Sequence, residues 1–147
     1  MRVGMSPIVK TVTRVAIGII FLYGLYIVLH GHITPGGGFA GGIILALVYI
    51  LYVLAFGKEE AEERLSKSWA SALESLGALM FLAVALAGFA GGYFFLNVLP
   101  KGNPGEILSA GLIPLSNLAI MLKVGSGLFA VFLVLITFSV VIRKEEE

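Results

Sequence analysis

The chain has 147 residues, of which 59% are hydrophobic, and its mean hydropathy is +1.01. A water-soluble domain cannot hide that much apolar surface, so the composition specifies a polytopic membrane protein. The formal net charge of +1, without a basic patch, argues against a nucleic-acid partner; the absence of cysteine excludes disulfides, thiolate metal sites and iron–sulfur ligation in this chain.

Ser6-Pro7 reads as a helix start, with Ser6 as cap and Pro7 in the first turn, where its missing N–H costs nothing. The first span then runs over about 8–29. Lys10 and Arg14 lie four apart near its beginning, placed to reach the headgroups. No small-residue cleavage site follows this run, so a retained span is expected and not a cleaved signal peptide. His30 falls in the last turn, where the helix terminus favours partial positive charge.

The next stretch, His30 to Gly42, is unlike an ordinary helix or loop. Pro35 removes a backbone donor and pushes Thr34 away from helical angles. Gly36, Gly37 and Gly38 free three successive backbone positions, and Phe39, Gly41 and Gly42 open the next span. Such a string predicts a very tight turn, with at least one glycine at positive φ, or backbone packed on backbone.

The second span covers about 39–57, and its Gly37–Gly41 and Gly38–Gly42 pairs have the small-xxx-small spacing of close helix approach. A hydrophilic linker over 58–67 follows, with Glu60–Arg64 and Glu63–Lys67 at i,i+4, and predicts a short solvated surface helix. Trp69 is an interfacial anchor for a third span over 69–98, in which Gly88, Gly91 and Gly92 form a second close-approach face. Leu99 to Gly105 is a loop by its Pro and Gly content. The last apolar region, 112–142, is too long for one straight span unless it tilts or is broken. The fold expected is therefore an all-α bundle of about four transmembrane helices in a single integral membrane domain over 1–147.

Orientation follows from the basic residues. An even number of spans puts both termini on one side, with Arg2, Lys10, Arg14, Lys58, Arg64, Lys67, Arg143 and Lys144. The other side holds only Lys101, with Lys123 in or near the membrane. The positive-inside rule then makes the termini and the acidic linker cytoplasmic, in the cell membrane, with the His30–Gly38 turn outside.

Several chemistries can be weighed from the residues. His30 and His32 offer two nitrogens, short of the three or four ligands of a zinc site, and only Glu106 in the other outer loop could add to them. Hydrogen bonding at the helix end is the preferred reading, ahead of a proton relay. The glycines lack the Gly-Lys-Ser/Thr of a phosphate loop, and no arrangement supports covalent catalysis. No metal, cofactor or stand-alone enzymatic activity is expected. Glu74 and Lys123 are the serious candidates, because charges within membrane segments often mark ion paths. Counted one way, both sit at interfaces. Counted from Trp69 and Pro114, they lie roughly 8 Å and 13 Å into opposite ends of a ~30 Å core. That leaves a depth gap of about 9 Å, too far for a fixed ion pair but bridgeable by water.

The ordered string His-Gly-His-x-Thr-Pro-Gly-Gly-Gly-Phe-x-Gly-Gly across His30 to Gly42 resembles the signature of the MnhB-like subunit of the Mrp-type multisubunit Na+/H+ antiporters. Related subunits occur in archaeal membrane-bound hydrogenase and sulfur-reducing respiratory complexes. The resemblance extends over nearly the whole chain through the four spans and the Pro-Leu opening of the last. It implies a small, cofactor-free subunit, embedded in the lipid bilayer, that assembles with other membrane subunits of an antiporter or hydrogenase-like complex and handles Na+ and/or H+. Glu74, Lys123, His30, His32 and Asn117 are its candidates for an ion path. The Asp that bacterial antiporter members of the family carry early in the last span has no counterpart in Ile113–Gly125, where Asn117 and Lys123 stand instead. This departure points to the variant found in archaeal respiratory complexes. The rival reading is a structural adaptor that carries no ion, its glycine faces tying neighbouring subunits together.

Overall fold

A computed structural model describes the backbone of residues 5–64, 66–107 and 109–145, with side chains as far as Ser139. Among these residues the structure is helical, and four helices are long and apolar enough to cross a membrane. α1 (Pro7–Leu29) starts where Ser6 Oγ accepts the Val9 N–H, with Pro7 in its first turn. It ends at His30. α2 (Gly38–Phe56) is followed directly by the short α3 (Lys58–Arg64). α4 (Lys67–Ala87) is capped by Ser66 Oγ on the Trp69 N–H and runs into a 3-10 turn, Gly88–Gly91. α5 (Ile113–Glu145) is one unbroken helix of 33 residues, roughly 50 Å at 1.5 Å per residue.

The long helices pack in the order α1, α2, α5, α4, so the last element of the chain is inserted between the second and third spans. Small residues make this insertion possible. A Cβ on Gly42 would come within 3.0–3.2 Å of Val124 and the Met121 carbonyl, and Gly125 faces the Gly42 backbone from the other side. On the α4 side Gly77 lies so close to Lys123 N and Ala119 O that a Cβ there would meet them at 2.6 and 2.8 Å. α1 reaches α2 in the same way, with Gly41 against Val28 and Gly24 against Leu45. In lipid, dispersion contacts and not water exclusion hold such close interfaces together. At the end of the bundle that carries α3, Val53, Ala61, Ala70, Phe129 and Leu133 form a buried cluster that fixes α2, α3, α4 and α5 in register.

One boundary and one set of side-chain contacts differ from the sequence reading. The third span does not continue to Val98. After the 3-10 turn Gly92 adopts φ 101°, and Phe95, itself at φ 62°, donates its N–H back to the Ala85 carbonyl. The chain has reversed at Gly92, whose left-handed φ glycine adopts at little cost. The linker forms its predicted short helix, but among the described residues the expected Glu60–Arg64 and Glu63–Lys67 pairs do not form; Glu60 and Arg64 both turn to Tyr52 of α2 instead. Tyr52 Oη donates to Glu60 at 3.0 Å and the Arg64 guanidinium lies over the Tyr52 ring. Lys58 bonds Thr137 of α5 at 2.8 Å and pairs with Glu62 at 3.6 Å.

Candidate functional site

The polar groups inside the bundle gather at two levels. The first is the turn between α1 and α2. Gly36 and Gly37 take φ 145° and 90°, conformations that glycine adopts at little cost, so the predicted positive-φ turn is present. Its tightness comes from contacts on three sides. Gly31 sits against Gly37 and the Asn117 amide, Gly36 against Ile27, and Gly38 against the Asn117 backbone, leaving no space for a Cβ at Gly31 or Gly38. Asn117 Oδ1 accepts the Gly38 N–H at 3.2 Å, while its Nδ2 is buried without a partner. Thr34 Oγ1 donates to the His30 carbonyl at 3.2 Å and closes the turn from within. Pro35 and Phe39 are exposed, Phe39 by 62%.

The two histidines do different things. His30 stacks on Tyr26 with ring centroids 4.1 Å apart, and its Nδ1 lies 3.1 Å from the Tyr26 carbonyl. His32 Nε2 lies 3.0 Å from the Glu106 carbonyl in the loop before α5. A carbonyl only accepts, so each of these nitrogens carries the proton. The other ring nitrogen of His32, Nδ1, is buried and unpartnered. Among the described residues no three His, Cys, Asp or Glu side chains come together as a metal site.

The second level is the ion pair of Lys123 on α5 with Glu74 on α4, Nζ to Oε1 2.5 Å. The expectation that a depth gap keeps them apart is overturned. Counting from the ends of the spans assumes that both begin at opposite surfaces of one slab. Instead the register is set by Gly77 packing on Ala119 and Lys123, and α5 continues well past the start of α4, so the two side chains come level. Gly127, one turn beyond Lys123, leaves room for the carboxylate: a Cβ there would be 3.7 Å from Glu74 Oε1. Along α5 the pair lies six residues, roughly 9 Å, beyond the Asn117–Gly38 contact and ten residues, roughly 15 Å, before Leu133 of the core cluster. It therefore lies midway along the bundle and at neither end.

The structure thus joins Glu74 to Lys123, and Asn117 to the glycine turn, but does not bring His30 or His32 to the ion pair. Gly41 and Gly42 are used within the chain, against α1 and α5. Gly88 is pressed by the returning backbone of Tyr93–Leu96, whereas Gly92 has nothing within 4 Å and serves as a turn. Sequence reasoning misses two residues that matter. Gly77 lies three residues after Glu74, on the same helical face, and that spacing could have marked it. Asn97 Oδ1 accepts the N–H groups of Leu99 and Leu112, both at 3.2 Å, tying the return after α4 to the start of α5; nothing local distinguishes it.

Comparison with known proteins fits this architecture. A family model described as a domain related to the MnhB subunit of Na+/H+ antiporter matches residues 8–130. An uncharacterized protein of Methanocaldococcus jannaschii is 38% identical over 148 aligned residues, covering 95% of this chain and 55% of its own length. The mnhB2 protein of Staphylococcus aureus, whose name gives it as an antiporter subunit, is 43% identical over 58 residues, 40% of this chain and 41% of that protein. Among solved structures, a chain of the membrane-bound sulfane sulfur reductase, an archaeal respiratory membrane complex, superposes with a TM-score of 0.74 at 33% identity. That match covers 88% of this chain and 57% of the other. The chain spans about half the length of these relatives.

Proposed function

We propose that this chain, which belongs to the family of domains related to the MnhB subunit of Na+/H+ antiporter, is a membrane subunit of a sodium/proton antiporter module within a larger energy-converting respiratory complex. Its part is to contribute an ion path centred on Glu74 and Lys123, and to pack against other membrane subunits, with its termini in the cytoplasm. It catalyses nothing by itself; any redox chemistry belongs to other subunits.

The observation that carries the ion-path reading is the Lys123–Glu74 pair at 2.5 Å, midway along two apolar membrane-spanning helices. Ionised groups at such depth are costly, and a lysine beside a carboxylate can exchange a proton or yield the carboxylate to a cation as the pair opens. Family membership and the likeness to a chain of an archaeal respiratory complex support the setting. The adaptor reading is weakened by the glycines: Gly41, Gly42 and Gly77 all serve contacts within this chain. Transport by the assembled complex in vesicles decides between the two. Glu74→Gln and Lys123→Met are expected to lower Na+/H+ exchange at least tenfold with subunit composition intact. Full transport in both variants would leave only the adaptor role.

A further inference from the structure

The ion pair is not fully enclosed by the helices that form it. The Lys123 side chain remains 49% exposed and that of Glu74 32%. Beside Lys123, Gly77, Ala78, Phe81, Ala119 and Ile120 line an open apolar groove of about 270 Å³ between α4 and α5. An ammonium has three donors, and among the described residues Lys123 uses one, on Glu74. A lipid tail could fill the groove but would leave the remaining N–H groups facing hydrocarbon, an arrangement that membrane proteins avoid by turning charges inward or pairing them. A neighbouring helix supplies both requirements at once, since small residues such as Ala78 let a backbone come close and a side-chain oxygen can accept from Lys123.

We propose that this groove is the docking site of a transmembrane helix from a neighbouring subunit, and that this helix presents an oxygen acceptor from Asp, Glu, Asn, Gln, Ser or Thr to Lys123. The inference rests on the reading of the chain as part of a multisubunit complex. It does not rest on ion conduction. If the site carries ions, it places their path at a subunit boundary and not inside this chain alone.

A photoreactive amino acid placed at Ala78 or Ile120 in the intact membrane complex tests the contact. Both positions are expected to crosslink to a second polypeptide, through an apolar segment with one of the named side chains within a helical turn of the linked residue. Crosslinks to lipid alone, or to a segment with no such side chain, overturn the docking site while the assembly reading stands. Purification of the chain without any partner overturns both. Ala78→Trp, at an exposed position, is a second test: it is expected to reduce recovery of the crosslinked partner at least fivefold with this chain still folded. Undiminished recovery counts against the groove. Because contact is read and not transport, loss of the ion path would leave the outcome unaffected.

Discussion

Asn117 of α5 caps α2 from across the bundle: its Oδ1 accepts the N–H of Gly38, the first residue of that helix, at 3.2 Å. Gly37 precedes α2 and has no side chain to do this, so one of the orphan donors at the helix start is met by a residue 79 positions away. The same asparagine packs its backbone on Gly38, so the cap and the closest α2–α5 contact are one feature.

Replacing Asn117 with Ala should therefore cost about 1–2 kcal/mol, the usual range for a lost cap or for a buried donor left unsatisfied. Asn117→Asp keeps an acceptor at the positive end of the α2 dipole and should retain most of that stability. Thermal unfolding of the purified complex, followed in mild detergent, ranks the three proteins. A midpoint for the Ala variant equal to that of the parent would remove the capping role.

Glycines in the same chain should respond very differently to a single added methyl. Gly38→Ala drives a Cβ into the Asn117 backbone and should separate α2 from α5, with loss of assembled protein. Gly92→Ala meets nothing within 4 Å and should cost only the strain of φ 101°, about 1 kcal/mol. Expression and co-purification yields of the two variants provide the comparison; equal yields would mean that backbone contact at Gly38 is unimportant.

Glu74 and Lys123 should be coupled in stability as well as in transport. Either single neutral replacement leaves an uncompensated charge within a membrane-spanning helix and should cost about 1.5–3 kcal/mol. The double variant Glu74→Gln/Lys123→Met removes both charges and should recover part of that loss, yet stay inactive. Unfolding midpoints of the four proteins form the cycle. Strict additivity would show that the two side chains do not interact in the membrane.

Orientation is accessible to labelling. Single cysteines at Glu62 and Asn103 should react with membrane-impermeant reagents from opposite sides of sealed vesicles, Glu62 from the cytoplasmic side. The chain has no native cysteine to interfere. Reaction of both from one side would exclude the proposed topology.

Hydropathy alone determined the four apolar helices, because a span of about 20 residues must satisfy its backbone internally and so writes its length and composition into a contiguous stretch. Ser6-Pro7 and Pro35-Gly36-Gly37-Gly38 were legible for a similar reason: a cap and a tight turn are local, set by which residues tolerate the required φ or lack an N–H. Local rules failed at 92–98, where apolar residues continue but Gly92 turns the chain back and Phe95 bonds Ala85. Helix order and register lay beyond them altogether. Nothing near Glu74 says that α5 lies beside α4, or that Gly77 against Ala119 sets the two helices so that Lys123 comes level with its carboxylate. Those relations depend on which small residues allow two backbones to meet, a property of pairs of helices that only the packed structure decides.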